Sequence, residues 1–317
     1  MFFKSIQYII VALLPLIILS QNVYAQGCCT AGSSTFGGLE RGIANKNNLN
    51  LGISFISNQL NSTYNENKEI TDPLGRTALV SIFNIELEYG ISENVSFLAV
   101  GGYSIKERET VVRSSVDNST EKINFRGDGL TDITILGKYQ VIIPTILSQI
   151  NFTIGGGVKL PVGTYNLRDD GTRLSIDLQP GTGATDVLLW GNFYKGFQSL
   201  YFSVFANFLY RYPGINLDGY KFGDEYILSL MGEYYLTDYL IISGGMRIRL
   251  AEEDFWGGRF LPSTGGIYYD FLPGLIYSEG FYSLKLFYQA PIHRNVKGIQ
   301  LSTSSIIGTE LLFNFDL

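Results

Sequence analysis

One histidine, two cysteines, two tryptophans and three methionines are all that 317 residues contain of those types, and only 16% of the chain is charged. Each shortage excludes something. The single histidine, His293, cannot build a multi-histidine metal site. It also follows Pro291 in a stretch expected to be a loop, away from any base and nucleophile pair, so the chain is not read as an enzyme. Cys28 and Cys29 are adjacent and cannot staple distant strands. Three uses stay open for them: exposed thiols without a structural role, lipidation of one, or soft-metal or redox chemistry with an incomplete ligand set. No cofactor is expected, since Gly155-Gly-Gly157 lacks the following helix that a phosphate loop needs. A formal net charge of −6 gives no reason to expect nucleic-acid binding. Beyond the N-terminus no apolar run is long enough to cross a membrane as a helix. The nearest, around residues 139–150, is broken by Gln140, Pro144, Ser148 and Gln149.

What is abundant is glycine (36), tyrosine (21) and phenylalanine (21), the composition of many strands with one greasy and one wet side. Lys4, an apolar run from Tyr8 to Leu19 and a small residue at Ala25 read as a secretory signal peptide over residues 1–25. Residues 26–47 are small, polar and without period, a tail or a plug for whatever follows. From residue 48 onward the chain alternates. In residues 239–250, Leu240, Ile242, Met246, Ile248 and Leu250 share one face, and Ser243, Arg247 and Arg249 the other. Its hairpin partner sets Tyr226, Leu228, Leu230 and Tyr234 against Glu225, Ser229 and Glu233. A soluble sandwich would bury the apolar face as core, whereas a membrane barrel turns it to lipid and lines its lumen with the charged one.

Loop lengths decide between the two. Links near residues 90–94, 142–148, 195–200, 236–239 and 278–280 are short; those near 59–76, 107–128, 162–185, 211–224, 251–265 and 293–301 are long and polar. Short at one end and long at the other is the asymmetry of an outer-membrane barrel. The fold class is therefore all-β, a transmembrane up-and-down antiparallel β-barrel of about twelve strands over residues 48–317. Pro273 interrupts one of these strands and predicts an irregularity there.

The stretch Gly127-Asp-Gly-Leu-Thr-Asp-Ile-Thr-Ile-Leu-Gly-Lys-Tyr139 resembles the MetA-pathway phenol-degradation family of outer-membrane proteins, which are FadL-like. Leu160-Pro-Val-Gly-Thr164 and Gln179-Pro-Gly-Thr-Gly-Ala-Thr-Asp-Val-Leu-Leu-Trp190 extend the resemblance, which covers residues 127–194. It implies an outer-membrane transporter for small hydrophobic or aromatic compounds, with outer-membrane lipid, a small-molecule solute and the barrel-assembly machinery as partners. It supplies no binding residues, and FadL's Asn-Pro-Ala signature is absent. A non-conducting structural or receptor barrel is the competing reading.

Alternation nominates the lumen wall directly. Glu86, Glu88, Asp132, Asp186, Glu233 and Glu310 face Lys138, Lys159, Arg247, Arg249 and Lys285, with Trp190 among them. Acids and bases in near balance argue against a strongly ion-selective pore. Confined charges are costly unless paired, so cross-strand pairs are expected, with Glu233 to Arg247 or Arg249 as the first candidate because they share a hairpin.

Overall fold

A computed structural model describes residues 39–113, 119–145 and 148–317. The proposed signal peptide, Cys28 and Cys29 lie outside the described residues. Twelve wall strands follow one another: β1 (Asn48–Leu60), β2 (Thr77–Ser92), β3 (Val95–Arg113), β4 (Thr120–Leu130, continued by Ile133–Ile142), β5 (Ile150–Leu160) and β6 (Asp186–Phe197). Then come β7 (Phe202–Pro213), β8 (Glu225–Tyr235), β9 (Leu240–Ala251), β10 (Gly266–Phe271, continued by Gly274–Glu279), β11 (Tyr282–Val296) and β12 (Ser305–Asp316). Every strand pairs antiparallel with its chain neighbours, and β12 pairs back onto β1 from Asn48↔Asp316 to Gln59↔Ser305. The sheet closes as a barrel and leaves no edge, which removes the unpaired backbone groups that lipid cannot satisfy.

The period of two sets which side chains meet which solvent. Along β2, Phe83, Ile85, Leu87 and Tyr89 are exposed on the outside while Asn84, Glu86 and Glu88 are buried inside. In β9, Ile242, Met246 and Leu250 point out and Ser243 and Arg247 are buried. A greasy exterior over a polar interior inverts a soluble protein and suits a lipid surround. Aromatic side chains gather at both ends of the wall. Tyr239 stacks on Tyr277 with centroids 6.5 Å apart near the short turns, and Tyr210 on Tyr226 at 4.8 Å near the long loops.

Pro273 does break its strand: β9 pairs with β10 from Met246↔Phe271 to Ala251↔Gly266, then again from Leu240↔Tyr277 to Ser243↔Gly274. Two expected loops differ. Residues 107–113 and 120–128 continue β3 and β4 as a ladder from Tyr103↔Leu130 to Arg113↔Thr120 instead of forming a long loop. Alternation is weak there because charged residues stand on both faces, the inner one pairing Arg108 with Asp177 of the loop between β5 and β6. His293 is in β11, not in a loop; it points outward with its ring 5.9 Å from that of Tyr269. At the long-loop end, Ser62–Asn65 pairs with Lys68–Ile70 and with Ile299–Ser302 in a small sheet.

Candidate functional site: the barrel interior

The interior has a floor, a wall and a roof. The floor is the end of the aperiodic N-terminal segment, which enters beside Gly90. A Cβ at Gly90 would stand 1.8 Å from the Asn45 carbonyl oxygen, so only glycine lets the segment pass. Inside, Trp190 Nε1 donates to Leu39 O at 2.8 Å, Lys138 Nζ donates to Gly42 O at 2.9 Å, and Ala44 N donates to Glu88 at 3.2 Å. The segment carries its own opposite charges side by side. Arg41 pairs with Glu86 at 3.1 Å and with Glu310, on β2 and β12. Glu40 pairs with Arg247 at 3.2 Å and with Lys285, on β9 and β11. Each charge faces the part of the wall that carries its complement.

Above this, a ladder of alternating charge runs across six consecutive strands. Lys159 lies 2.9 Å from both Asp132 and Asp186; Arg211 reaches Asp186 at 3.5 Å and Glu225 at 3.0 Å; Glu225 also takes Arg249. Lys138 pairs with Glu88 at 3.1 Å and sits 4.9 Å from the Trp190 ring centroid. Asp270 takes Arg294 and accepts from Gln289 at 2.8 Å, and Gln289 accepts from Arg247 at 3.2 Å. Burying one such charge alone would cost several kcal/mol, so pairing is a condition of having them in the wall.

The roof comes from the loop between β5 and β6. Gln179, 1% exposed, ties it by accepting from Leu167 N at 2.8 Å and donating to Leu174 O at 3.0 Å. Lys106 Nζ, rising from β3, donates to Gln179 O at 2.8 Å and Asp177 O at 3.1 Å. Beneath the roof and above Leu39 lies a cavity of about 140 Å³.

The nominated lumen residues thus occupy the interior in different ways. Glu86, Glu310, Arg247 and Lys285 hold the N-terminal segment, whereas Lys159, Asp186 and Arg249 belong to the ladder. Asp132 sits in the short break between the halves of β4 rather than within a strand, where its carboxylate also accepts from Gly163 N at 3.1 Å and Thr182 N at 2.9 Å. The expected Glu233 pair with Arg247 or Arg249 does not form. Glu233 stands opposite Ser243 and accepts from Ser203 Oγ at 3.3 Å, while Arg247 stands opposite Ser229. Four residues of rise, about 13 Å, separate them along the strand. The sequence also left Arg211, Arg294, Asp270 and Glu40 unnamed. Arg211 and Arg294 fall in stretches expected to be loops, where the two-residue period, carried a few positions further, places Arg211 on the inner face.

Among the described residues no group of three or more His, Cys, Asp or Glu is placed to hold a metal ion. A closed barrel, apolar outside and charge-paired inside, defines the class as a transmembrane β-barrel with an occupied lumen. No known protein family matches the sequence, and no curated protein is detectably similar to it. Among solved structures it is similar to an outer membrane channel from Pseudomonas putida F1, with a TM-score of 0.67 over 88% of this chain and 99% of that one at 12% identity. A Pseudomonas aeruginosa FadL homologue aligns at 0.46, covering 91% and 98% at 12% identity. The Ralstonia pickettii toluene transporter TbuX aligns at 0.43, covering 93% and 99% at 8% identity. At such identities the likeness is one of fold.

Proposed function

We propose that the chain is an outer-membrane channel or transporter for small hydrophobic or weakly charged solutes, aromatic compounds among them. The observation that carries this reading is the cavity held between a loop roof and an N-terminal floor inside a closed barrel. A purely structural barrel has no need of an apolar space within its charge-paired interior. The charged groups cancel around the wall, which suits solutes that carry little charge. Under this reading residues 1–25 direct export, the barrel-assembly machinery inserts the chain, and outer-membrane lipid surrounds it. The resemblance to the MetA-pathway phenol-degradation family supports aromatic solutes. The outer membrane channel from Pseudomonas putida F1 supports a channel at the level of fold.

A non-conducting or receptor barrel is favoured by one observation, the bonding of Glu40 and Arg41 to four wall strands, β9, β11, β12 and β2, which fastens the segment inside the lumen. Flux of a small uncharged aromatic solute into proteoliposomes decides between the two. The channel reading expects faster uptake than in protein-free vesicles; uptake equal to theirs favours the receptor barrel.

A further inference from the structure

The cavity beneath the roof has a chemistry more specific than greasiness. Its volume of about 140 Å³ is close to the roughly 150 Å³ of an apolar cavity able to hold a benzene ring. Ile82, Val100, Leu188, Leu209 and Phe222 supply apolar walls, and Leu39 the floor. One lining group stands apart. Ser104 is 1% exposed, and its hydroxyl has no hydrogen-bond partner among the described residues. A buried hydroxyl left unmatched costs about 1–3 kcal/mol, so a partner arriving with the ligand is favoured.

The charged groups around the cavity are committed elsewhere. Lys106 donates to the carbonyls of Asp177 and Gln179, Lys159 is shared by Asp132 and Asp186, and Arg211 by Asp186 and Glu225. Lys159 and Arg211 are thereby matched by carboxylates and the Lys106 ammonium by two carbonyl oxygens, so an uncharged ligand disturbs none of these bonds. We propose that this cavity is a binding site for an uncharged amphiphile, a ring-sized hydrocarbon body bearing one hydroxyl-type group that bonds to Ser104. The proposal deepens the channel reading by naming the solute's polarity, and it sets the site apart from one for plain hydrocarbons. A hydrocarbon fills the same space but leaves Ser104 unmatched.

Benzyl alcohol and ethylbenzene have nearly the same shape and differ by a hydroxyl, so they form the test pair. Binding of each to the full chain in lipid nanodiscs is followed by saturation-transfer NMR, with protein-free nanodiscs subtracted to remove partition into lipid. Ser104→Ala should weaken benzyl alcohol about 2- to 10-fold, the worth of one neutral hydrogen bond, and leave ethylbenzene unchanged. Leu188→Phe, which fills the cavity, should weaken both. The proposal is overturned if the wild type binds neither compound, if Ser104→Ala leaves benzyl alcohol unchanged, or if Leu188→Phe affects neither. Solute flux into proteoliposomes, measured on the same variants, keeps the two ideas separate. Flux with unaltered benzyl alcohol binding in Ser104→Ala removes the site and keeps the channel; selective binding without flux removes the channel and keeps the site.

Discussion

Replacing Arg41 by Gln removes the cation that lies between Glu86 on β2 and Glu310 on β12, both at most 4% exposed. Breaking a buried ion pair by deleting one partner costs about 3–5 kcal/mol, because the remaining charge stays desolvated. Here the lower end applies. Lys285 stands directly across the strands from Glu310 and moderates its loss, and Arg41 is itself 29% exposed. We expect about 3 kcal/mol, read as a lowered urea midpoint for unfolding from lipid vesicles. The triple variant Arg41→Gln, Glu86→Gln, Glu310→Gln removes acids and base together and should recover most of that loss. A single variant within about 0.5 kcal/mol of wild type, or a triple variant no better than the single, would refute the idea that paired burial holds the segment in the lumen.

Three further expectations follow from the same geometry. Leu230→Arg, on the outer face midway along β8, should cost about 2–4 kcal/mol in lipid, whereas Leu217→Arg, on a loop beyond the wall and 98% exposed, should cost almost nothing; equal losses would deny that the outer face meets lipid. Arg247→Gln with Arg249→Gln should shift the bilayer reversal potential only slightly, since acids and bases are distributed around the whole interior; a large shift would make those arginines a selectivity filter. Asp72, on the loop after β1, has a carboxyl that burial pushes up but that the Arg76 side chain, the Thr63 hydroxyl and the backbone N–H groups of Arg76 and Leu74 pull down further, to about 2. Because its folded value lies below the unfolded one near 4, the clip's contribution is complete above about pH 4 and fades as pH falls toward 2; an NMR titration midpoint near 4 would contradict the clip.

The wall was legible in the sequence wherever lipid lay on one side and a polar interior on the other. Asn84, Glu86 and Glu88 alternate with Phe83, Ile85 and Leu87 because the two faces of one strand meet opposite solvents. That contrast ends at the rim. Residues 107–113 and 120–128 carry charge on both faces, so the ladder they form has the polar composition of a loop. Cross-wall pairing was less legible still. Glu233 and Arg247 share a hairpin, but register sets neighbours, and register puts Ser243 and Ser229 opposite them. The floor was legible only as one of two alternatives, a tail or a plug, and its contacts not at all. Glu40 and Arg41 lie in a stretch without period, and their partners are 45 to 269 positions away for Arg41 and more than 200 for Glu40. Ser104 stayed anonymous because its lack of a partner is a property of the packed interior and leaves no mark in the local sequence.

The central claim is that the barrel is a solute path whose lumen is occupied by its own N-terminal segment. Single-channel recording in a planar bilayer, comparing the intact chain with one lacking residues 27–45, tests it most directly. The account predicts small, weakly selective conductance from the intact protein and a clear increase on deletion, with the deleted barrel still shifting on a gel only after boiling. Unchanged conductance from a correctly folded deletion variant, or no conductance from either form, would contradict it.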